Sequence, residues 1–244
     1  MEGIAGRLAR LDSCAVCDAL DSLALPGAAL GLRALSASRM ISGRVITVDL
    51  AAAGTVAAAA TGPTADSAAA APRRHLGTAA VDAASPGDVI VVAHHGRTDV
   101  AGWGGVLSAG AAAKGIAGVI VDGAVRDVDQ AAAYGLPVYA AAAVPRTARG
   151  RVTERAWNVQ VSIAGVPVQP GDYVIADGSG VVFVPRAHAE AILARAEQIT
   201  RAEELMAARA LAGDPMTDVM NRDYELMLGN GGSGGSRPDP TPLS

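Results

Sequence analysis

GWGGVLSAGAAAKGIAGVIVDGAVRDVDQ, residues 102–130, is the stretch that decides how the rest of the chain is read. Residues 105–114 are predicted to be helical, with Lys114-Gly115 a suitable C-terminal end. Ile116 to Asp122 reads as an apolar strand, and 126–134 as a second helix closed by Gly135. LPVYAAA (136–142) adds a further strand. A helix–strand–helix–strand run implies at least one pair of parallel strands with a covered face, hence an α/β domain. Within this run Arg126 and Asp127 are adjacent. A strand sends neighbouring side chains to opposite faces, so the two converge on one target only if the strand has ended and the backbone turns. The residues Asp122-Gly123-Ala124-Val125 before them and Val128-Asp129-Gln130 after them suggest such a turn.

Outward from this centre the pattern continues. SPGDVIVVAHH places Pro86-Gly87 at the middle of a type II turn that launches a buried strand, Val89 to Ala93. QPGDYVIADGSGVVFVP repeats the punctuation, with strands at 172–176 and 181–184. SGRVITVDL (42–50) alternates and is β-branched, a strand, and NVQVSIAGVPV (158–168) reads as another. Residues 4–24 form an amphipathic helix or helix pair ended by Leu25-Pro26-Gly27. Residues 51–71 read as loop with some helix, 73–84 as a short helix, and 186 to about 212 as a charged C-terminal helix. The chain is one domain, 1–228, followed by a flexible tail, 229–244, too poor in apolar residues to pack.

Composition narrows the function classes. Of 244 residues half are hydrophobic, yet there are only one Phe, two Trp and four Tyr, and the net charge is −4. Nucleic-acid binding needs clustered basic residues, often with aromatic platforms, and is not expected. The local cluster Arg73-Arg74-His75 reads as a solvated loop or helix start. Cys14 and Cys17 form a lone C-x-x-C without the second pair a zinc site needs, and they fall inside a helical period as helix-face residues. No apolar run is long enough to span a membrane, and the N-terminus lacks a secretory pattern, so a cytoplasmic protein with no membrane partner is expected.

Ligands in α/β sheets bind beyond the carboxyl ends of strands. Two such ends carry unusual residues: His94-His95-Gly96-Arg97 and the Arg126-Asp127 turn. The Gly102-Trp103-Gly104-Gly105 turn opens a helix, where glycines admit close approach and unpaired N–H groups suit a carboxylate. Arg126 would clamp an oxyanion, and Asp127 would suit a hard divalent cation. Asp177 and Ser179, in DGSG, are turn formers.

The run GRTDVAGWGGVLSAGAAAKGIAGVIVDGAVRDVDQ to GLPVYA, with CDALDSLALPGAALGLRAL before it and PGDYVIADGSGVVFVP after, resembles the RraA family over about residues 8–205. The most specific match is a glycine followed after about twenty residues by Arg-Asp, here Gly105 through Arg126-Asp127. The resemblance implies a compact β-sandwich, swivelling-type core with flanking helices and a helical C-terminal extension. It also implies a homo-oligomer, trimer or hexamer, with sites between subunits. Enzymatic members are class II pyruvate aldolases acting on 4-hydroxy-4-methyl-2-oxoglutarate and 4-carboxy-4-hydroxy-2-oxoadipate with Mg²⁺ or Mn²⁺.

By that resemblance Arg126 holds the pyruvyl group and Asp127 is the metal ligand. The amides of Gly104, Gly105, Val106 and Leu107 bind the pyruvate carboxylate, and Glu203 is the match for a helper from a neighbouring subunit. The aldolases carry an Asp directly after the first glycine of the loop, where it holds a water on the metal; here the position is Gly105. Neighbouring residues point apart, so at most one of His94 and His95 faces the site, and His95 is the candidate replacement base. The expected activity is cleavage or decarboxylation of a small 2-oxo acid through pyruvate enolate. Other family members are non-catalytic inhibitors of ribonuclease E, which lack the aspartate of the pair.

Overall fold

The computed structural model of the chain describes residues 3–54 and 75–220. Most of the 51–71 segment, Arg73, Arg74 and the 229–244 tail lie outside the described residues. In chain order the elements begin with helices α1 (Ile4–Leu8) and α2 (Ser13–Ser22), then β1 (Ala28–Ala29), β2 (Arg33–Ala34) and β3 (Ile41–Ala52). The centre is α3 (Thr78–Ala83), β4 (Val89–Ala101), α4 (Gly105–Ala113), β5 (Gly118–Val125), α5 (Val128–Ala133) and β6 (Val138–Ala143). Then come β7 (Val152–Trp157), β8 (Val161–Ile163), β9 (Val166–Val168), β10 (Tyr173–Ala176), β11 (Val181–Val184), α6 (Ala189–Leu211) and α7 (Met216–Val219).

The strands β3, β4, β5 and β6 pair in parallel, as the helix–strand alternation requires. Antiparallel strands β10, β11 and β1 extend one side, β2 closes the other, and β7 pairs with the far half of β3. The parallel strands are buried on both faces, which explains their unbroken apolar runs. Alternate positions along each strand serve different cores. Ile46, Val48, Ile90, Val92, Val119, Val121, Val138 and Ala140 pack with α3, α4 and α5. Val45, Val89, Val91, Ala93, Ile120 and Tyr139 turn inward onto Val174, Ala176, Phe183 and the β8–β9 hairpin. Tyr139 Oη reaches the Ala176 carbonyl at 3.1 Å, so the two ends of the sheet close on one another in a sandwich-like manner.

A third core lies between α1, α2, α6 and the β10–β11 pair. On α6 the buried residues Ala189, Ile192, Leu193, Ala196 and Ile199 follow helical spacing. Arg7 fixes α1 to α6 through Glu190 and Glu197, at 2.6 and 2.7 Å.

Both Pro-Gly-Asp turns form as the sequence suggests and are built alike. Gly87 and Gly171 take φ +85° and +86°. Asp88 and Asp172 each donate N–H to the residue three back and accept that residue's N–H on a carboxylate oxygen, at 2.8 Å in both cases.

Several expectations need correction. Residues 158–168 are not one strand but a hairpin, because Ala164 and Gly165 both adopt positive φ, the two-residue turn that matches strand twist. For 4–24, read as a helix or helix pair, the structure bears out the pair. The 73–84 helix begins at Thr78, and the 126–134 helix shortens to Val128–Ala133. The strand expected to stop at Ala93 continues to Ala101, although its regular ladder does end at Ala93. From there β4 bulges twice through His94–Val100, meeting β5 at Arg97 opposite Gly123 and again at Ala101 opposite Ala124. His95 (φ +54°) and Gly96 (φ +69°) make the bend. The strand expected over 116–122 is shifted to Gly118–Val125.

Candidate active site

β5 ends at Val125, so Arg126 and Asp127 occupy the turn between this strand and α5. Two backbone bonds splice the glycine turn alongside them. Gly102 N–H donates to Ala124 O at 2.8 Å, and Arg126 N–H donates to Trp103 O at 3.0 Å. Trp103 anchors the turn from below. Its ring is buried in the central core, and its indole N–H donates to Ser108 Oγ, which in turn donates to Gly104 O.

Asp127 sits at φ +59°, ψ +36° and caps α5 in the left-handed region, a conformation that Asp and Asn tolerate better than most residues. This backbone turns its carboxylate away from its own helix and onto the next one: Gly105 N–H donates to Asp127 Oδ2 at 2.9 Å. Arg126 Nε lies 3.1 Å from the same oxygen, with the two side chains 39% and 29% exposed. Both contacts thus fall on Oδ2. The guanidinium approaches its neighbour through Nε.

Space explains the glycines. A Cβ on Gly104 would stand 3.1 Å from Asp127 Oδ2 and 3.2 Å from Arg126 Nε, so a side chain there would press on the ion pair that lies against the helix start. Val106, in the first turn of α4, is 90% exposed, whereas Leu107 packs on the central core.

The structure therefore brings together Arg126, Asp127, Gly104 and Gly105. Val106 and Leu107 follow in the first turn of α4, whereas His95 and Glu203 stand on other elements. His95 Nε2 instead meets Asp49 Oδ1 at 2.8 Å, and Asp49 also takes Arg155 at 3.1 Å. Glu203 lies on α6, which packs against α1 and α2. Sequence reading missed the Asp49–His95–Arg155 cluster, since its members come from three separate strands. It also missed Gln130, whose carboxamide lies over Gly105; its place one helical turn after Asp127 was the available signal.

His94 is buried and packed beneath Gly102 and Gly123. Its Nε2 lies 2.8 Å from Val100 O; a carbonyl only accepts, so Nε2 carries the hydrogen. Burial pushes the imidazole pKa below its ordinary 6.5, with Arg97 and His95 adding to the effect against the Val100 carbonyl and Asp99. Below that ordinary value the unfolded chain takes up a proton that the folded chain refuses. Stability is therefore complete above about pH 6.5 and falls as pH drops through it, levelling once the folded imidazole protonates. Denaturant midpoints measured between pH 7.5 and 5 are expected to show this slope, and His94→Leu to flatten it.

Of the remaining candidates, Asp177 is a turn former. Burial pushes its pKa up, but hydrogen bonds from Ser13, Ser179 and Gly180 hold it below the usual carboxylate range. Cys14 and Cys17 are free thiols on α2, and burial, Asp21 and Asp18 push Cys17 up. Among the described residues no three His, Cys, Asp or Glu side chains cluster as a metal cage. No helix there is long and apolar enough to cross a membrane.

Comparison with known proteins decides the family. The RraA-like family, Aldolase/RraA, matches residues 13–183. The chain belongs to the RraA-like family. An uncharacterised protein of Methanocaldococcus jannaschii is 35% identical over 137 residues, 54% of this chain and 64% of that protein. A protein of Halalkalibacterium halodurans named "Putative 4-hydroxy-4-methyl-2-oxoglutarate aldolase" is 35% identical over 54% of this chain and 62% of its own length. The match thus spans less than two thirds of these curated relatives.

Among solved structures, an uncharacterised protein of Pseudomonas syringae superposes with a TM-score of 0.75 at 26% identity, covering 89% of this chain and 96% of that one. Streptomyces coelicolor RraAS2, described as an unusual member of the RNase ES inhibitor RraA family, gives 0.68 at 26% identity, covering 84% and 96%. The mixed sheet with flanking helices and a helical C-terminal region is the RraA-like fold.

Proposed function

We propose that the protein is a divalent-metal-dependent carbon–carbon lyase acting on small 2-oxo acids through pyruvate enolate. The observation that carries this reading is the convergence of Arg126, Asp127 and the α4 N-terminus on one turn. The resemblance to proteins named as aldolases supports the substrate class.

The donor set fits a hard cation. Mg²⁺ and Mn²⁺ take oxygen ligands, and Mg²⁺ keeps several waters while binding through one or two carboxylates. Asp127 is a partly exposed carboxylate whose contacts fall on Oδ2, leaving Oδ1 to a cation, and the Gly105 N–H holds the group in place. When bound, such a cation supplies Lewis acidity to the 2-oxo group.

The chain's own residues do the rest. The N–H groups of Val106 and Leu107 in the first turn of α4 bind the substrate carboxylate, with the positive end of the helix dipole behind them, while Gly105 N–H holds Asp127. The terminal amino groups of Arg126 face the negative charge that develops on the 2-oxo oxygen as the enolate forms, and stabilise it before any solvent can reorganise. Decarboxylation asks nothing more at that stage, because departing CO₂ leaves its electron pair in the enolate. Retro-aldol cleavage also needs a base for the 4-hydroxyl proton. His95, oriented by Asp49, has no contact with the pair in one chain, so decarboxylation is the better supported of the two.

A homo-oligomer, trimer or hexamer, belongs to this reading. Val106, Leu205 and Leu211 are 90%, 70% and 90% exposed in a single chain, apolar surface that a second copy would cover. It would also bring Glu203 of a neighbour toward the site.

The deciding assay is pyruvate release from oxaloacetate with and without a chelator. Release that the chelator stops, and that Mn²⁺ or Mg²⁺ restores, is the expected result. No release under either condition, from oxaloacetate or from a 4-hydroxy-2-oxo acid, overturns the proposal. The likeness to RraAS2 favours a second reading, a regulator of ribonuclease E; inhibition of that nuclease by a catalytically silent protein would support it.

A further inference from the structure

Gly105 is helical and extends no backbone into the left-handed region, so conformation does not require a glycine there. Space does. A Cβ at Gly105 would overlap Gln130 Oε1 and stand 3.1 Å from Gln130 Cδ and from Asp127 Cβ. The carboxamide of Gln130 thus fills the volume that a side chain on residue 105 would take. Asp127 and Gln130 are three apart and share one face of α5, which packs on α4. Gln130 is exposed, and its carboxamide lies beside the α4 N-terminus and Asp127.

We propose that Gln130 is the specificity-determining residue of this site, favouring decarboxylation of 2-oxo acids that carry a carboxylate on C3 over retro-aldol cleavage. The inference rests on the lyase reading above. A carboxamide donates two hydrogen bonds and accepts through its oxygen, but it takes up no proton near neutrality. It positions a leaving carboxylate through its N–H groups. The C3–carboxylate bond then breaks, CO₂ departs, the electron pair enters the C2–C3 enolate, and water returns a proton to C3. In a retro-aldol reaction the C3–C4 bond breaks only as the 4-hydroxyl proton leaves for a base and the C4 carbonyl forms. Gln130 cannot be that base.

Three variants test this. Gln130→Glu puts a carboxylate in the same volume. It is expected to raise the ratio of retro-aldol to decarboxylase kcat/KM by about a hundredfold, the low end of what a positioned base contributes, with a new acidic limb in the aldol pH profile. Gln130→Ala is expected to raise KM for oxaloacetate about tenfold, the worth of one hydrogen bond to a charged group, with kcat nearly unchanged. The third reads the packing without any turnover: Gly105→Ala should lower the melting temperature in the native background and much less in the Gln130→Ala background.

An active native enzyme whose ratio and KM ignore both Gln130 variants overturns this inference and leaves the lyase reading standing. A native protein inactive on both substrate types overturns the lyase reading and this inference with it. Equal melting losses for Gly105→Ala in both backgrounds would show that the carboxamide does not occupy that volume, which also overturns the inference. If Gln130→Glu fails to fold beside Asp127, the Gln130→Ala kinetics and the melting cycle still decide.

Discussion

Arg126→Ala is expected to abolish measurable turnover of a 2-oxo acid while sparing the fold and the binding of Mn²⁺. The reasoning begins with what the side chain holds in the resting protein. Its one ion pair, to Asp127 through Nε, is partly exposed, and such pairs contribute about 0–1 kcal/mol. Asp127 keeps the Gly105 N–H when the guanidinium is gone, so the turn should persist. The rate is another matter, since removing one preorganised donor to a developing oxyanion costs about 10²–10³ in kcat. Cation affinity should hold or rise, because the variant deletes a positive charge beside the carboxylate. Steady-state kinetics and calorimetric titration of Mn²⁺ check both halves. Near-native turnover in this variant would remove Arg126 from the chemistry.

Much of this arrangement was legible before any coordinates, and the reason is physical. Parallel strands covered on both faces leave continuous apolar runs, so Val89–Ala93 and the β5 segment announced themselves. Pro-Gly-Asp marked both launching turns because only glycine tolerates positive φ there cheaply. The Arg-Asp turn was readable for a related reason, since two adjacent charged residues after a buried run must lie where the strand has stopped.

What escaped has equally definite causes. The detour at His94–Val100 keeps strand-like residues while breaking register, and a single sequence carries no mark of which partner a strand slips past. The Ala164-Gly165 turn was hidden inside an alternating pattern that reads the same for one strand or two. Asp49, His95 and Arg155 meet only because β3 lies beside β4 and pairs with β7, contacts that no local spacing reveals. Gln130 was passed over because an exposed Gln on a helix is unremarkable until the missing side chain at Gly105 gives it a place to lie.

Asp127→Asn should produce the opposite failure from Arg126→Ala. Asparagine is among the few residues at home at φ +59°, and its side-chain oxygen still accepts the Gly105 N–H, so the fold has no reason to change. What disappears is the negative charge. At an effective dielectric of 20, unit charges 4 Å apart interact by about 4 kcal/mol, and water filling the vacated position recovers part of that. A loss of about a hundredfold in Mn²⁺ affinity is the expected result, corresponding to about 2.7 kcal/mol. Turnover should then fall at low metal and return in part as Mg²⁺ or Mn²⁺ is raised, a rescue that Arg126→Ala cannot show because its defect is in the enolate's stabilisation. The competing account is that Asp127 only caps α4 and pairs with Arg126. On that account Asp127→Asn lowers stability by about 0.3–1 kcal/mol and leaves metal affinity and rate untouched. Titrating Mn²⁺ into the two variants side by side separates the accounts, since only a ligand's loss weakens the cation and only an oxyanion clamp's loss is immune to more of it.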